Sequence, residues 1–202
     1  AMLIAIPSFV GYLALSSPLM QLLFGDARKT PALMLALGSV TVVFYCLSTV
    51  TNAVLQGLNH MTTPVKNAAI SLGIHIVSLL LMLVVFKWNI YAIVAGNIVF
   101  SLSMCILNAK AIYKYSGYVQ EKKNTFIKPL IAAGIMGAVT FVFHKLFDLI
   151  IGGRIATVLA LLVAVAVYAV CVLKIGAFTE EELLAMPKGS SIVNLAKKFR
   201  LI

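Results

Sequence analysis

Six stretches of roughly twenty mostly apolar residues constrain this chain more than any other feature; they occupy 2–24, 32–56, 67–86, 88–109, 129–151 and 155–173. A helix needs about 20 residues to cross about 30 Å of hydrocarbon. Inside that layer every backbone N–H and C=O must bond within the protein, which leaves helices or closed barrels. Runs this long and this continuously apolar specify helices. The expected fold class is therefore all-α, a polytopic membrane helix bundle with six transmembrane helices. Composition points the same way, with 62% apolar and only 11% charged residues, against about 25% charged in soluble domains. That excludes an ordinary water-soluble enzyme and a disordered chain.

The formal charge of +10 does not imply nucleic acid, because Lys and Arg of membrane proteins gather in cytoplasmic loops. Arg28, Lys29, Lys87, Lys145 and Arg154 fall on one side of the six spans, and the other 11 of the 16 fall opposite. The richer side, which carries the loop after 109 and the C-terminus, is expected to be cytoplasmic. An even number of spans puts the start of the segment there too. No basic region precedes the first apolar run, so no signal peptide is legible, and Ala1-Met2-Leu3-Ile4 reads as cut from a longer chain. Cys46, Cys105 and Cys171 lie within apolar stretches without metal or redox spacing and read as buried small hydrophobes.

Polar residues within spans carry an insertion cost unless they are paired or wetted. In the second span Thr41, Tyr45, Ser48, Asn52 and Gln56 recur every three or four residues, within about 80° of helical arc. Asn67, Ser71, His75 and Ser78 repeat this in the third span, and Asn97, Ser101 and Asn108 form a stripe in the fourth. Interhelical hydrogen bonds in membranes average only about 0.6 kcal/mol, so packing glue is a weak reason for three such seams. The preferred reading is a shared aqueous cavity facing a polar substrate, with Asn52, Gln56 and Asn97 lining it and Ser48 and Ser101 deeper or shallower. His75 reads as a helix-packing residue.

The last two spans carry no polar stripe. Ala133, Gly134, Gly137 and Ala138 have small-xxx-small spacing suited to close packing, and Gly152-Gly153 makes the pair antiparallel neighbours. Beyond them Thr179-Glu180-Glu181-Glu182 reads as a capping box. Ile192, Leu195, Phe199 and Ile202 stand opposite Lys197, Lys198 and Arg200, the pattern of a basic amphipathic helix on an anionic leaflet. No catalytic triad, HExxH, phosphate loop or metal-ligand cluster is present. The expectation is a chain that is not an enzyme and uses no cofactor and no metal.

Pro7 with Gly11, Leu23-Phe24-Gly25, Asn52-x-x-Leu55-Gln56-Gly57 followed by Pro64, and the ending Thr179-Glu180-Glu181-Glu182-Leu183 then Met186-Pro187-Lys188-Gly189 occur in order. Together they resemble the polysaccharide-biosynthesis and stage V sporulation protein B-like branch of the multidrug/oligosaccharidyl-lipid/polysaccharide exporter superfamily. The resemblance implies helices nine to fourteen of a fourteen-helix flippase of the bacterial cytoplasmic membrane, moving a lipid-linked oligosaccharide or peptidoglycan-type precursor by alternating access. It implies 1–114 as a four-helix part of the C-terminal transporter lobe, 115–128 as a cytoplasmic loop, 129–174 as a peripheral helix pair and 175–202 as a cytoplasmic amphipathic tail. The partners so implied are the lipid-linked sugar, membrane lipids and the missing N-terminal lobe of the same chain. No intramembrane Arg or Lys here could hold a pyrophosphate, so no charged substrate site is transferred.

Two alternatives stand beside this. A cation-coupled multidrug exporter of the same superfamily would call for an intramembrane carboxylate, and a non-transporting membrane scaffold would use the seams as glue. The charge asymmetry gives the first testable expectation. A reporter active only in the cytoplasm should be active when fused after Ile202, and activity confined to the outside would reverse the orientation.

Overall fold

The computed structural model describes residues 1–26, 28–121 and 123–176. The expected capping box at Thr179 and the basic tail with Lys197, Lys198 and Arg200 lie outside these residues. Seven helices follow in order: α1 Met2–Phe24, α2 Lys29–Gly38, α3 Val40–Gly57, α4 Thr62–Leu80, α5 Tyr91–Ser116, α6 Lys128–Ile151 and α7 Gly153–Lys174. No strand occurs among the described residues. Taking α2 and α3 together, six spans are long and apolar enough to cross a membrane. The all-α membrane bundle is thus what the chain forms.

The second span is expected as one helix over 32–56, and the structure divides it at Ser39. The Ser39 hydroxyl donates to the Ala36 carbonyl and the Thr41 hydroxyl to the Gly38 carbonyl, each at 2.6 Å. Hydroxyls that bond the preceding turn compete with the backbone ladder and bend helices. α4 starts at Thr62, earlier than 67, because Pro64 is tolerated in a first turn; its far end widens into a π-helical turn, Leu81–Val85. α5 starts at Tyr91 rather than 88 because Lys87 and Asn89 adopt left-handed φ of 51° and 49°. It then runs on past Lys110 to Ser116, where Gly117 caps it at φ 67°. The loop expected over 115–128 is correspondingly shorter, since a π-helical turn at Lys123–Ile127 leads directly into α6.

Packing follows two groups joined by α1. α5 lies between α3 and α4, which barely touch each other, while α1 contacts α2, α3, α6 and α7. Met2 and Ile6 of α1 meet Ala133 of α6, with Val43, Cys46 and Leu47 of α3 against the same cluster. Further along, Leu15 and Leu19 meet Ala160 of α7. Small residues permit these approaches. On α6 the inward residues are Ala132, Ala133, Met136, Gly137 and Thr140, and on α7 they include Ala156, Ala160 and Ala164 at four-residue spacing. Gly134 and Ala138, expected in the same seam, face outward.

Polar contacts close this group. His144 Nε2 lies 3.1 Å from Thr157 Oγ1, joining α6 to α7, and the Tyr168 hydroxyl donates to the Leu3 carbonyl at 2.8 Å, joining α7 to α1. Lys145 and Asp148, spaced to pair, do not: the Lys145 ammonium lies over the Phe141 ring at 5.1 Å. The Asp148 carboxylate instead approaches Gly153, within 3.0 Å of where a Cβ would stand. There it meets the positive end of α7.

A Cβ on Gly137 would stand 2.6 Å from Val10 Cγ1, whereas one on Gly134 would meet nothing within 4 Å. Gly137→Ala should therefore lower unfolding stability in detergent by about 1–3 kcal/mol, and Gly134→Ala should be neutral or stabilising by up to about 1 kcal/mol. Equal behaviour of the two would refute the close α1–α6 contact.

Candidate functional site

The three polar seams converge at one side chain, Asn108 of α5, which is fully buried. Its Oδ1 accepts from Asn67 Nδ2 of α4 at 2.9 Å. Its Nδ2 faces α3, donating to Asn52 Oδ1 at 2.7 Å and Thr51 Oγ1 at 3.0 Å, with the Ser48 carbonyl at 3.5 Å. An amide carries both donors and acceptors, so one Asn between two helices can bond each in opposite senses. The result ties α3, α4 and α5 together at one level.

The five expected cavity residues divide around this node. Asn52 is half-buried and belongs to it. Ser48 and Ser101 are buried, with hydroxyls turned back onto the carbonyls of Tyr45 and Asn97 of their own helices, both at 2.9 Å. In this conformation neither lines open space, because the α3–α5 contact closes over them. Gln56 and Asn97 are exposed and make no side-chain hydrogen bond among the described residues.

Nor do the exposed pair share a level. α3 and α5 run in the same direction, as the bonds from Cys105 to Phe44 and from Asn108 to Asn52 require. Asn97 precedes Asn108 by eleven residues, which is about 16 Å along the axis, while Gln56 lies about 6 Å beyond Asn52 the other way. The structure joins Asn52 to Asn108 and leaves Gln56 and Asn97 at opposite ends of a long stripe. Asn67, Asn108 and Thr51 are the residues that sequence reasoning left outside the site. Asn67 and Asn108 were already on the seams, whereas nothing but the α3–α5 register identifies Thr51.

Above the node the α4 seam stays close to α5. The His75 ring packs where a Cβ on Gly96 would come within 2.9 Å of its Cε1, and it meets the Phe100 ring edge-on at 6.0 Å. Ser71 Oγ and His75 Nδ1 are buried without hydrogen-bond partners among the described residues. On the other flank an apolar groove of about 660 Å³ runs between α1 and α7, bordered by Leu3, Pro7, Gly11, Leu23, Leu161 and Val165. Among the described residues no three His, Cys, Asp or Glu side chains gather.

These features define a polytopic membrane protein with a neutral polar seam and a separate apolar groove. Over 196 residues it is 26% identical to a Bacillus subtilis (strain 168) protein called uncharacterized membrane protein YabM, covering 93% of this chain. The chain spans only 36% of that relative's length. No family model and no solved structure matches the chain.

The node separates structural from exposed polar groups. Asn108→Ala should lower stability in detergent by about 1–3 kcal/mol, because it leaves buried amides unpaired. Gln56→Ala and Asn97→Ala should change it by less than about 0.5 kcal/mol. Comparable losses at all three positions would mean that Gln56 and Asn97 are packed rather than exposed.

Proposed function

We propose that the chain is part of a flippase that carries a lipid-linked oligosaccharide or peptidoglycan-type precursor across the bacterial cytoplasmic membrane, with both ends of the segment cytoplasmic. The apolar groove carries this reading. It follows α1 from Leu3 to Leu23, a rise of about 30 Å, which equals the depth of the hydrocarbon layer. A prenyl or acyl chain could lie along it while a sugar headgroup follows a polar route. Gln56 and Asn97 supply uncharged donors and acceptors for that route, matched to hydroxyls and weak enough for release. The relative that matches over most of this chain is a membrane protein more than twice as long, which supports a second lobe completing the path.

A scaffold reading draws on the Asn108 node, where amides act as glue between three helices. It accounts for Asn52, Ser48 and Ser101, but not for unpaired amides at Gln56 and Asn97 or for a groove of bilayer depth.

Gly11 borders the groove, and a Cβ there would meet nothing within 4 Å. Gly11→Phe should therefore fill the groove without disturbing the packing. Transport of a labelled lipid-linked sugar by the full-length protein in vesicles should fall by about tenfold or more, with the unfolding midpoint unchanged. Gln56→Leu and Asn97→Leu should lower transport in the same way. Undiminished transport in Gly11→Phe, or transport of hydrophobic cations in place of the sugar lipid, would overturn the proposal.

A further inference from the structure

α1 is broken at Leu15, whose φ and ψ of −115° and 20° leave the helical region three residues before Pro18. Proline has no N–H to bond the carbonyl four residues back, and its ring pushes against it. Many helical hydroxyls fold back onto the preceding turn, as at Ser8, Thr49, Thr51, Ser78 and Ser103, though Ser71 and Thr140 do not. Nor do Ser16 and Ser17, beside the break. Both border a cavity of about 390 Å³ that is also lined by Thr30 and Lys29 of α2 and Tyr91 of α5. None of these five side chains makes a hydrogen bond among the described residues.

The charge at this mouth is also unspent. Asp26 is taken by Arg28, whose guanidinium lies 2.7 Å from its carboxylate; their hydrogen bonds hold the Asp26 carboxyl below its ordinary range. Lys29 has no carboxylate partner among the described residues. Four hydroxyl-bearing residues and Lys29 therefore border one cavity, together with Ala32, Leu33 and Ala36. Hydroxyls both donate and accept, which matches a polyol, and an ammonium matches a phosphate oxygen as a point charge. The same ammonium disfavours a metal cation. The volume falls within the range of about 300–1,000 Å³ usual for ligand sites.

We propose that this cavity binds the headgroup of a polyol phosphate lipid, with Lys29 on the phosphate and Ser16, Ser17, Thr30 and Tyr91 on the polyol hydroxyls. It opens at the end of α1 opposite Met2, the non-cytoplasmic end in the orientation proposed above. A transported headgroup would leave there. The assignment of a sugar rather than a glycerol as the polyol rests on the flippase reading; the site itself does not.

The test is lipid retention by the full-length protein in native mass spectrometry. The probes are polyprenyl phosphate-linked glucose, phosphatidylglycerol, phosphatidic acid and phosphatidylcholine. Lys29→Gln should weaken retention of the three anionic lipids by about tenfold, the scale of one lost charge-assisted hydrogen bond. Ser16→Ala/Ser17→Ala and Tyr91→Phe should weaken only the two polyol lipids. Lys145→Gln, on the same face but away from the cavity, should change nothing, and unfolding midpoints should stay fixed throughout.

Retention of both polyol lipids with this pattern supports the site and its sugar assignment. Retention of phosphatidylglycerol alone supports the site and overturns the sugar. Equal retention of all four lipids, or indifference to Lys29→Gln and to the serine pair, overturns the site. The Gly11→Phe transport assay judges the flippase reading separately in every case.

Discussion

Hydrocarbon offers no hydrogen-bond partner, so each polar group carried into the membrane must find one inside the protein or face water. The whole arrangement of this chain depends on that demand. Backbone groups meet it by forming helices. Most serine and threonine hydroxyls meet it locally, by bonding the carbonyl one turn earlier. Asn108, Asn67 and Asn52 carry amides with both donors and an acceptor, and they are met by one another across three helices. Their mutual bonds consequently fix how α3, α4 and α5 are rotated and at what height they meet.

The α1–α6–α7 group is held by a different principle. Lipid tails are as apolar as leucine, so burial alone gives helices little reason to associate in a bilayer. Close approach supplies dispersion contacts instead, and it requires small residues. Gly137 against Val10, with Ala156, Ala160 and Ala164 along α7, provides that approach. Two polar links, from His144 to Thr157 and from Tyr168 to Leu3, then set the register. α1 belongs to this group and also touches α2 and α3, so its break at Leu15 shapes both sides: the apolar groove toward α7 and the hydroxyl-lined cavity toward α2 and α5.

Most polar residues in the spans fall into two groups, enclosed with partners or exposed without them, while Ser71, His75 and Thr140 hold buried polar atoms that have no partner among the described residues. Ser48 and Ser101 are buried with bonded hydroxyls, and half-buried Asn52 accepts from Asn108, which makes the three part of the frame. Gln56, Asn97, Ser16, Ser17 and Lys29 have no side-chain partners among the described residues. The apolar groove lies apart from Gln56 and Asn97, between α1 and α7.

The sequence by itself determined the six spans, because continuous apolarity over twenty residues has only one solution in lipid. It also placed the seams, because residues three and four apart share a helical face whatever the neighbours are. The ends of the helices were less legible. Lys110 and Lys114 signal the edge of the hydrocarbon, but a helix has no need to stop there, and α5 continues to Gly117. The break at Ser39 depends on which carbonyls its hydroxyl and that of Thr41 choose. Only the tertiary structure decided that Asn108 is the node, that Ser48 and Ser101 are closed, and that Gln56 and Asn97 stand far apart. A seam gives a helix its inward direction, but its height against the next helix is a property of the pair. That height, set by the contacts of α5 with α3 and α4, distinguishes a shared cavity from a hydrogen-bonded joint.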